Sequence, residues 1–139
     1  MPLVKRFEDV QAWQQARKLT RTIYALTDGP AFRRDFGLVD QVRRAAVSMM
    51  NNVAEGFESG SPAEFSHFLG YAKRSGSEVQ SCLYVALDCG YCSQTQFQEA
   101  YKEVEQARGL ITGFIRYLRN ARVNGKAKAL TQAPSNTGT

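Results

Sequence analysis

Three sets of residues in this 139-residue chain have the types and spacing that chemistry would need. Glu64 and His67 form a Glu-x-x-His pair, the spacing from which four-helix carboxylate proteins build di-iron sites. Such a centre takes two of these pairs and further inward glutamates, and the chain has 1 histidine. Glu64 is also the third residue after Ser61 in Ser61-Pro62-Ala63-Glu64, a capping box with proline at the first helical position. The pair therefore reads as a helix start, and no metal or other cofactor is expected.

Cys89-Gly90-Tyr91-Cys92 has the spacing of a dithiol redox motif. That chemistry needs its nucleophilic cysteine at a helix N-terminus after a strand, where the dipole lowers the thiol pKa. Here the pair straddles a helix C-terminus, where the dipole disfavours a thiolate. Cys82 falls on an apolar seam and reads as a small hydrophobe. With 3 cysteines and 1 histidine in the chain, a four-ligand structural zinc site is not expected either.

The third set is polar. Arg44, Ser48, Asn52 and Glu55 recur at helical spacing and share one face. Asn52 stands where the apolar seam should continue, and Ser75 and Glu78 answer from the following helix. Such residues predict a buried polar layer that fixes register and pairing, with Arg43 or Arg44 bound to Glu55 or Glu78. Paired carboxylates doing acid/base work would need a nucleophile and a pocket, and neither is apparent. No enzyme activity and no small-molecule substrate are predicted.

The elements that hold these residues are four helical patterns. The first runs from Asp9, read as its N-cap, to Thr27, with Val10, Trp13, Ala16, Ile23 and Leu26 on one stripe. Asp28-Gly29-Pro30 marks a loop. The second pattern places Leu38, Val42, Ala45, Met49, Asn52 and Gly56 on a seam. From the Ser61 cap, Phe65, Phe68, Leu69, Ala72, Ser75, Val79, Cys82, Leu83 and Ala86 lead to Gly90, a natural terminating glycine. Ser93-Gln94-Thr95-Gln96 offers a second, weaker capping box, and Phe97, Tyr101, Val104, Ile111, Phe114, Ile115 and Leu118 carry the fourth helix to about residue 120. Short connections predict an all-α, antiparallel up-down-up-down four-helix bundle over residues 1–124. Residues 125–139 are small and polar and are expected to be a disordered tail.

No apolar run approaches the ~20 residues that span a bilayer, and the charged N-terminus lacks a signal-peptide core. A cytoplasmic protein without membrane contact is the expectation. The net charge is +5. Basic residues outnumber acids in 1–27 and 93–139, acids outnumber bases in 28–64, and 65–92 balances. In the predicted bundle Lys5 and Arg6 approach Arg116, Arg119, Arg122, Lys126 and Lys128, with Tyr117 among the arginines. Cations interleaved with an aromatic suit a nucleic-acid backbone. The competing expectation is that Glu55, Glu58 and Glu64, at the same end, neutralise part of this charge. Arg17 and Arg21, one turn apart, are further candidates for nucleic acid or for an oligomer surface.

The segments FEDVQAWQQA, QVRRAAVSMMNNVAEGF and AEFSHFLGYAKRSGSEVQSCL, followed by CGY, resemble the four-helix-bundle proteins encoded within intervening sequences of bacterial 23S ribosomal RNA genes. The accessory protein of diversity-generating retroelements is in the same family. The resemblance covers about residues 7–120. It extends to Phe7, Asp9, Trp13, Gln41, Arg43, Arg44, Ala45, Ser48, Asn52, Ala54, Glu55 and Gly56. Further on it takes in Phe65, Leu69, Ala72, Ser75, Glu78, Gly90 and Tyr91. Met50 and Asn51 stand where members usually have proline and serine, which leaves a bend in the second helix open. Arg74 replaces a glycine common in the third helix.

The resemblance implies a cytosolic antiparallel bundle, assembled as a homopentamer, without enzymatic activity. The retroelement relative contacts nucleic acid and a reverse transcriptase. The expectation is thus a self-assembling, non-enzymatic bundle that binds RNA, DNA or a nucleoprotein through Arg116, Arg119 and Arg122, with Lys5, Arg6, Arg17 and Arg21 secondary. The alternatives are a protein-interaction scaffold with no nucleic-acid role and, behind it, a metal or redox enzyme.

Overall fold

The computed structural model describes residues 4–123. Four α-helices follow one another: α1 (Gln11–Thr27), α2 (Phe36–Glu58), α3 (Pro62–Asp88) and α4 (Gln94–Val123). No strand occurs among the described residues. α1 packs on α2 and α4, and α3 packs on the same two helices, so the four close into a bundle. Thr20 reaches Ala46 and Arg43 reaches Thr27, while Ser48 meets Ser75 and Gln41 meets Glu78. Phe65 stacks on Phe114 and Tyr84 on Phe97. In each of these three pairs of consecutive helices the partner's number falls as the residue number rises, the register of antiparallel neighbours.

Apolar residues at helical spacing supply the core. Ala16, Leu19 and Ile23 of α1, Val42, Met49 and Val53 of α2, Phe65, Leu69 and Leu83 of α3, and Ile111, Phe114 and Leu118 of α4 are all buried. The predicted stripes are recovered with small rotations: Val53 takes the buried position of the α2 seam and Asn52 sits half-buried beside it.

The helix ends depend on specific residues. α1 begins at Gln11 with Val10 at the cap, so Asp9 is not its N-cap. A 3-10 turn, Phe7–Asp9, intervenes, and the Asp9 carboxylate accepts the Lys5 and Arg6 backbone N–H groups at 3.3 Å each. A second 3-10 turn, Phe32–Arg34, buries Phe32 against Tyr91 at 5.2 Å between ring centroids. Asp35 then caps α2: one carboxylate oxygen accepts the Leu38 N–H at 3.2 Å and the other the Tyr91 hydroxyl at 2.9 Å.

Ser61 caps α3 by accepting the Glu64 N–H at 3.1 Å. The predicted return bond from the Ser61 N–H to the Glu64 carboxylate is absent among the described residues, and Glu64 is exposed. The box at α4 is complete, with Gln96 N–H to Ser93 Oγ at 3.1 Å and Ser93 N–H to Gln96 Oε1 at 2.8 Å. α3 ends at Asp88 with Cys89 as its cap, and the next residue, Gly90, has a φ of 74° that lets the Tyr91 N–H turn back to Ala86 O at 2.9 Å. α2 runs unbroken through Met50 and Asn51.

Two glycines admit close helix contacts. A Cβ on Gly56 would lie 2.8 Å from Phe68 Cβ, and one on Gly76 would lie 2.8 Å from Met49 Cε and 2.9 Å from Arg108 Cγ. In α3 the close approach is thus made at Gly76, while Arg74 stands exposed with its guanidinium 4.8 Å from the Tyr71 ring centre. Among the described residues no helix is long and apolar enough to cross a membrane. The expectation for residues 125–139 lies outside the described residues.

Candidate functional site

The polar face of α2 is where the residues singled out from sequence collect. Ser48 and Ser75 hydroxyls meet at 2.9 Å between α2 and α3, and Asn52 Nδ2 donates to Ser48 O at 2.8 Å and to Ser48 Oγ at 3.1 Å. These three side chains are half-buried and linked through the Ser48 hydroxyl. The charged residues behave differently. Arg44 pairs with Asp40 on its own helix at 2.9 Å, both side chains largely in water at 80% and 65% exposure. An exposed pair of this type contributes little, of order 0.5 kcal/mol.

Arg43 turns towards α1, donating from Nε to Thr27 Oγ1 at 2.8 Å and from Nη2 to Tyr24 O at 3.4 Å, with its guanidinium 4.3 Å from the Tyr24 ring centre. Glu78 accepts from Gln41 at 3.5 Å, and Glu55 is exposed without a partner among the described residues. The expected pairing of Arg43 or Arg44 with Glu55 or Glu78 does not form. Arg44 and Glu55 point outwards, where Asp40 is one turn away and water screens anything farther, and Arg43 has a buried hydroxyl within reach.

This face borders an open groove of about 710 Å³ whose wall includes Tyr24, Val47, Asn51 and Asn52. The groove faces solvent, so the α2 face is not a closed internal layer along its whole length.

A second polar cluster went unread in the sequence. Gln80, only 7% exposed, donates to Glu105 Oε1, and Arg108 Nη1 donates to Gln80 Oε1 at 3.4 Å and to Glu105 Oε1 at 3.3 Å. Arg108 Nε also reaches Lys73 O at 3.3 Å. The available signal was Glu105-x-x-Arg108 at ion-pair spacing on α4, opposite Gly76 and Gln80 one turn apart on α3. Gly76 leaves the gap through which the Arg108 stem passes.

The thiols and the histidine are placed as follows. Cys89 is exposed at the α3 C-cap, whereas Cys82 and Cys92 are buried. Burial pushes the Cys92 thiol up, and burial together with the nearby Glu78 carboxylate does the same to Cys82, the wrong direction for nucleophilic sulfur. The Tyr91 hydroxyl is raised chiefly because it donates to Asp35, with burial next. His67 is exposed and bonds to the Tyr71 hydroxyl at 2.9 Å. Among the described residues no group of three His, Cys, Asp or Glu side chains converges on a common point.

Lys5, Arg6, Arg17, Arg21, Arg116 and Arg119 are all exposed. The Arg122 side chain lies outside the described residues. Arg6 pairs with Asp9 at 3.8 Å and Arg17 lies 5.8 Å over Trp13, while Arg21, Arg116 and Arg119 have no acidic partner among the described residues. The ion pairs there, Arg6–Asp9, Arg44–Asp40 and Arg108–Glu105, each join residues one turn apart. None links Glu55, Glu58 or Glu64 to the basic residues of α1 or α4.

Comparison with curated proteins finds no match. Among solved structures, a protein of unknown function from the S23 ribosomal protein family of Bacteroides thetaiotaomicron is similar in fold, with a TM-score of 0.69 at 18% identity. The alignment covers 76% of this chain and 98% of that one. The family model described as 23S rRNA-intervening sequence protein matches residues 8–113, which span all of α1 to α3 and most of α4. The chain therefore belongs to the 23S rRNA-intervening sequence protein family.

Proposed function

We propose that the protein is a self-assembling, non-enzymatic helical bundle that binds RNA through the exposed arginines of α4, with those of α1 contributing. The observation that supports this most directly is the state of Arg116 and Arg119. They sit one turn apart on α4, exposed and free of acidic partners among the described residues, in a chain of net charge +5. A guanidinium not already neutralised is available to displace counterions from a phosphate backbone, the main source of affinity in such complexes. Arg21 is in the same condition on α1. The family's name places its genes within ribosomal RNA intervening sequences, which makes RNA the first polymer to test.

The test is fluorescence anisotropy of labelled single-stranded RNA with the full chain across a salt series. Affinity should fall steeply with salt, and an Arg116→Ala/Arg119→Ala variant should bind more weakly with a slope shallower by about 1.4, roughly 0.7 per lost single-strand phosphate contact. Absence of binding at low salt, or an unchanged slope in the variant, overturns the reading.

A second reading has its own support. Phe36 is 81% exposed at the start of α2, and Tyr84 and Val85 stand out from α3 at 50% and 45%. Exposed apolar side chains of this size suit protein contacts. A scaffold without nucleic-acid affinity would keep its partners when Arg116 and Arg119 are changed.

A further inference from the structure

We propose that the groove beside α2 is a pocket for an unpaired nucleobase, so that the protein reads base identity as well as holding backbone. This rests on the RNA reading above and names a separate site for it. The first observation is shape: an open groove of about 710 Å³, with room for a base and its sugar.

The second is charge. Asp40 and Glu55 oppose Arg43 and Arg44 along its wall, so the lining is formally neutral. A phosphate gains nothing there, whereas an uncharged heterocycle meets no repulsion.

The third is unused hydrogen-bonding capacity. The Asn51 amide, the Asn52 side-chain oxygen and the Glu55 carboxylate have no partner among the described residues, and Arg44 is engaged only by exposed Asp40. All four residues line the groove and between them offer donors and acceptors, which is what a base edge requires; a carboxylate accepts from exocyclic amines and an amide both donates and accepts.

The fourth is a stacking surface. Tyr24 is 42% exposed, and Arg43 covers its ring at 4.3 Å while being held by Thr27 and the Tyr24 carbonyl. Aromatic rings and guanidinium planes are the surfaces on which proteins stack splayed-out RNA bases.

Anisotropy with short homopolymers of adenylate, cytidylate and uridylate, at fixed length and salt, tests the assignment. The wild-type chain should distinguish at least two of them by about tenfold, the scale of one good base contact. Asn51→Ala/Glu55→Gln, which changes two exposed groups without partners among the described residues, should bring the homopolymers within twofold of one another.

Equal affinity of the wild type for all three, or discrimination that survives in the variant, overturns the pocket and leaves the backbone-binding reading standing. No binding to any of them removes both. A change in sedimentation coefficient caused by the double variant would show the groove to be a subunit contact, and likewise overturns the assignment.

Discussion

At Gly56 the usual rule for helices reverses. Replacing a helical glycine by alanine ordinarily gains up to ~1 kcal/mol, because glycine loses more freedom on folding. Here the new Cβ would lie 2.8 Å from Phe68 Cβ, an atom fixed to its own backbone, and 2.9 Å from Phe65 Cδ1. α2 and α3 would have to separate, so Gly56→Ala should lower stability by about 1–3 kcal/mol, read as a lower urea midpoint at unchanged m-value. Gly70→Ala in α3 is the control, because its Cβ meets nothing within 4 Å, and that variant should be as stable as the wild type or more so.

The buried thiols make a pH-dependent statement at the same scale. Cys82 and Cys92 titrate above their ordinary values because burial penalises the thiolate. A raised folded-state pKa means the folded protein holds its proton better than the unfolded chain. The contribution is therefore complete below the unfolded thiol value of about 8.5 and is lost as pH rises through the folded value. Urea midpoints should fall on the alkaline side of pH ~8.5, and Cys92→Ala should flatten that fall relative to the wild type.

The helix ends show what local sequence can and cannot announce. Ser61-Pro62 was visible as a helix start because capping uses neighbours in sequence, and α3 begins there. The weaker-looking Ser93–Gln96 box is the one that closes on both sides. Ser93→Ala should cost about 1 kcal/mol. Asp35→Ala should cost more than Ser93→Ala in the same chemical-denaturation series, since Asp35 both caps α2 and receives the Tyr91 hydroxyl from the turn beyond α3. That second role joins residues far apart in the chain and has no local signature. Asp9 misled for the converse reason: a good capping residue was in place, but Phe7–Asp9 closed a 3-10 turn of its own and took the carboxylate.

For the molecule as a whole, the bundle presents exposed apolar side chains at Phe36, Tyr84 and Val85 together with unneutralised arginines. The apolar side chains fit the proposed self-assembly, and the arginines the proposed RNA contact. Sedimentation velocity on the full chain should give the mass of several copies, and a stable monomer would remove self-assembly from the proposal.

The number and order of helices, their apolar seams and the glycine that ends α3 were legible in the residues alone, because periodicity, capping and backbone freedom act over a few neighbours. Which polar groups meet was decided only by the tertiary structure. Ser48, Asn52 and Ser75 were visible as a set, yet Arg43 turned to Thr27 on α1, and Arg108 inserted past Gly76 to reach Gln80 and Lys73 on α3. A hydrogen bond requires about 3 Å between partners. The rotation and offset of one helix against the next, set by how the core packs, select those partners among several that the sequence places on the same face.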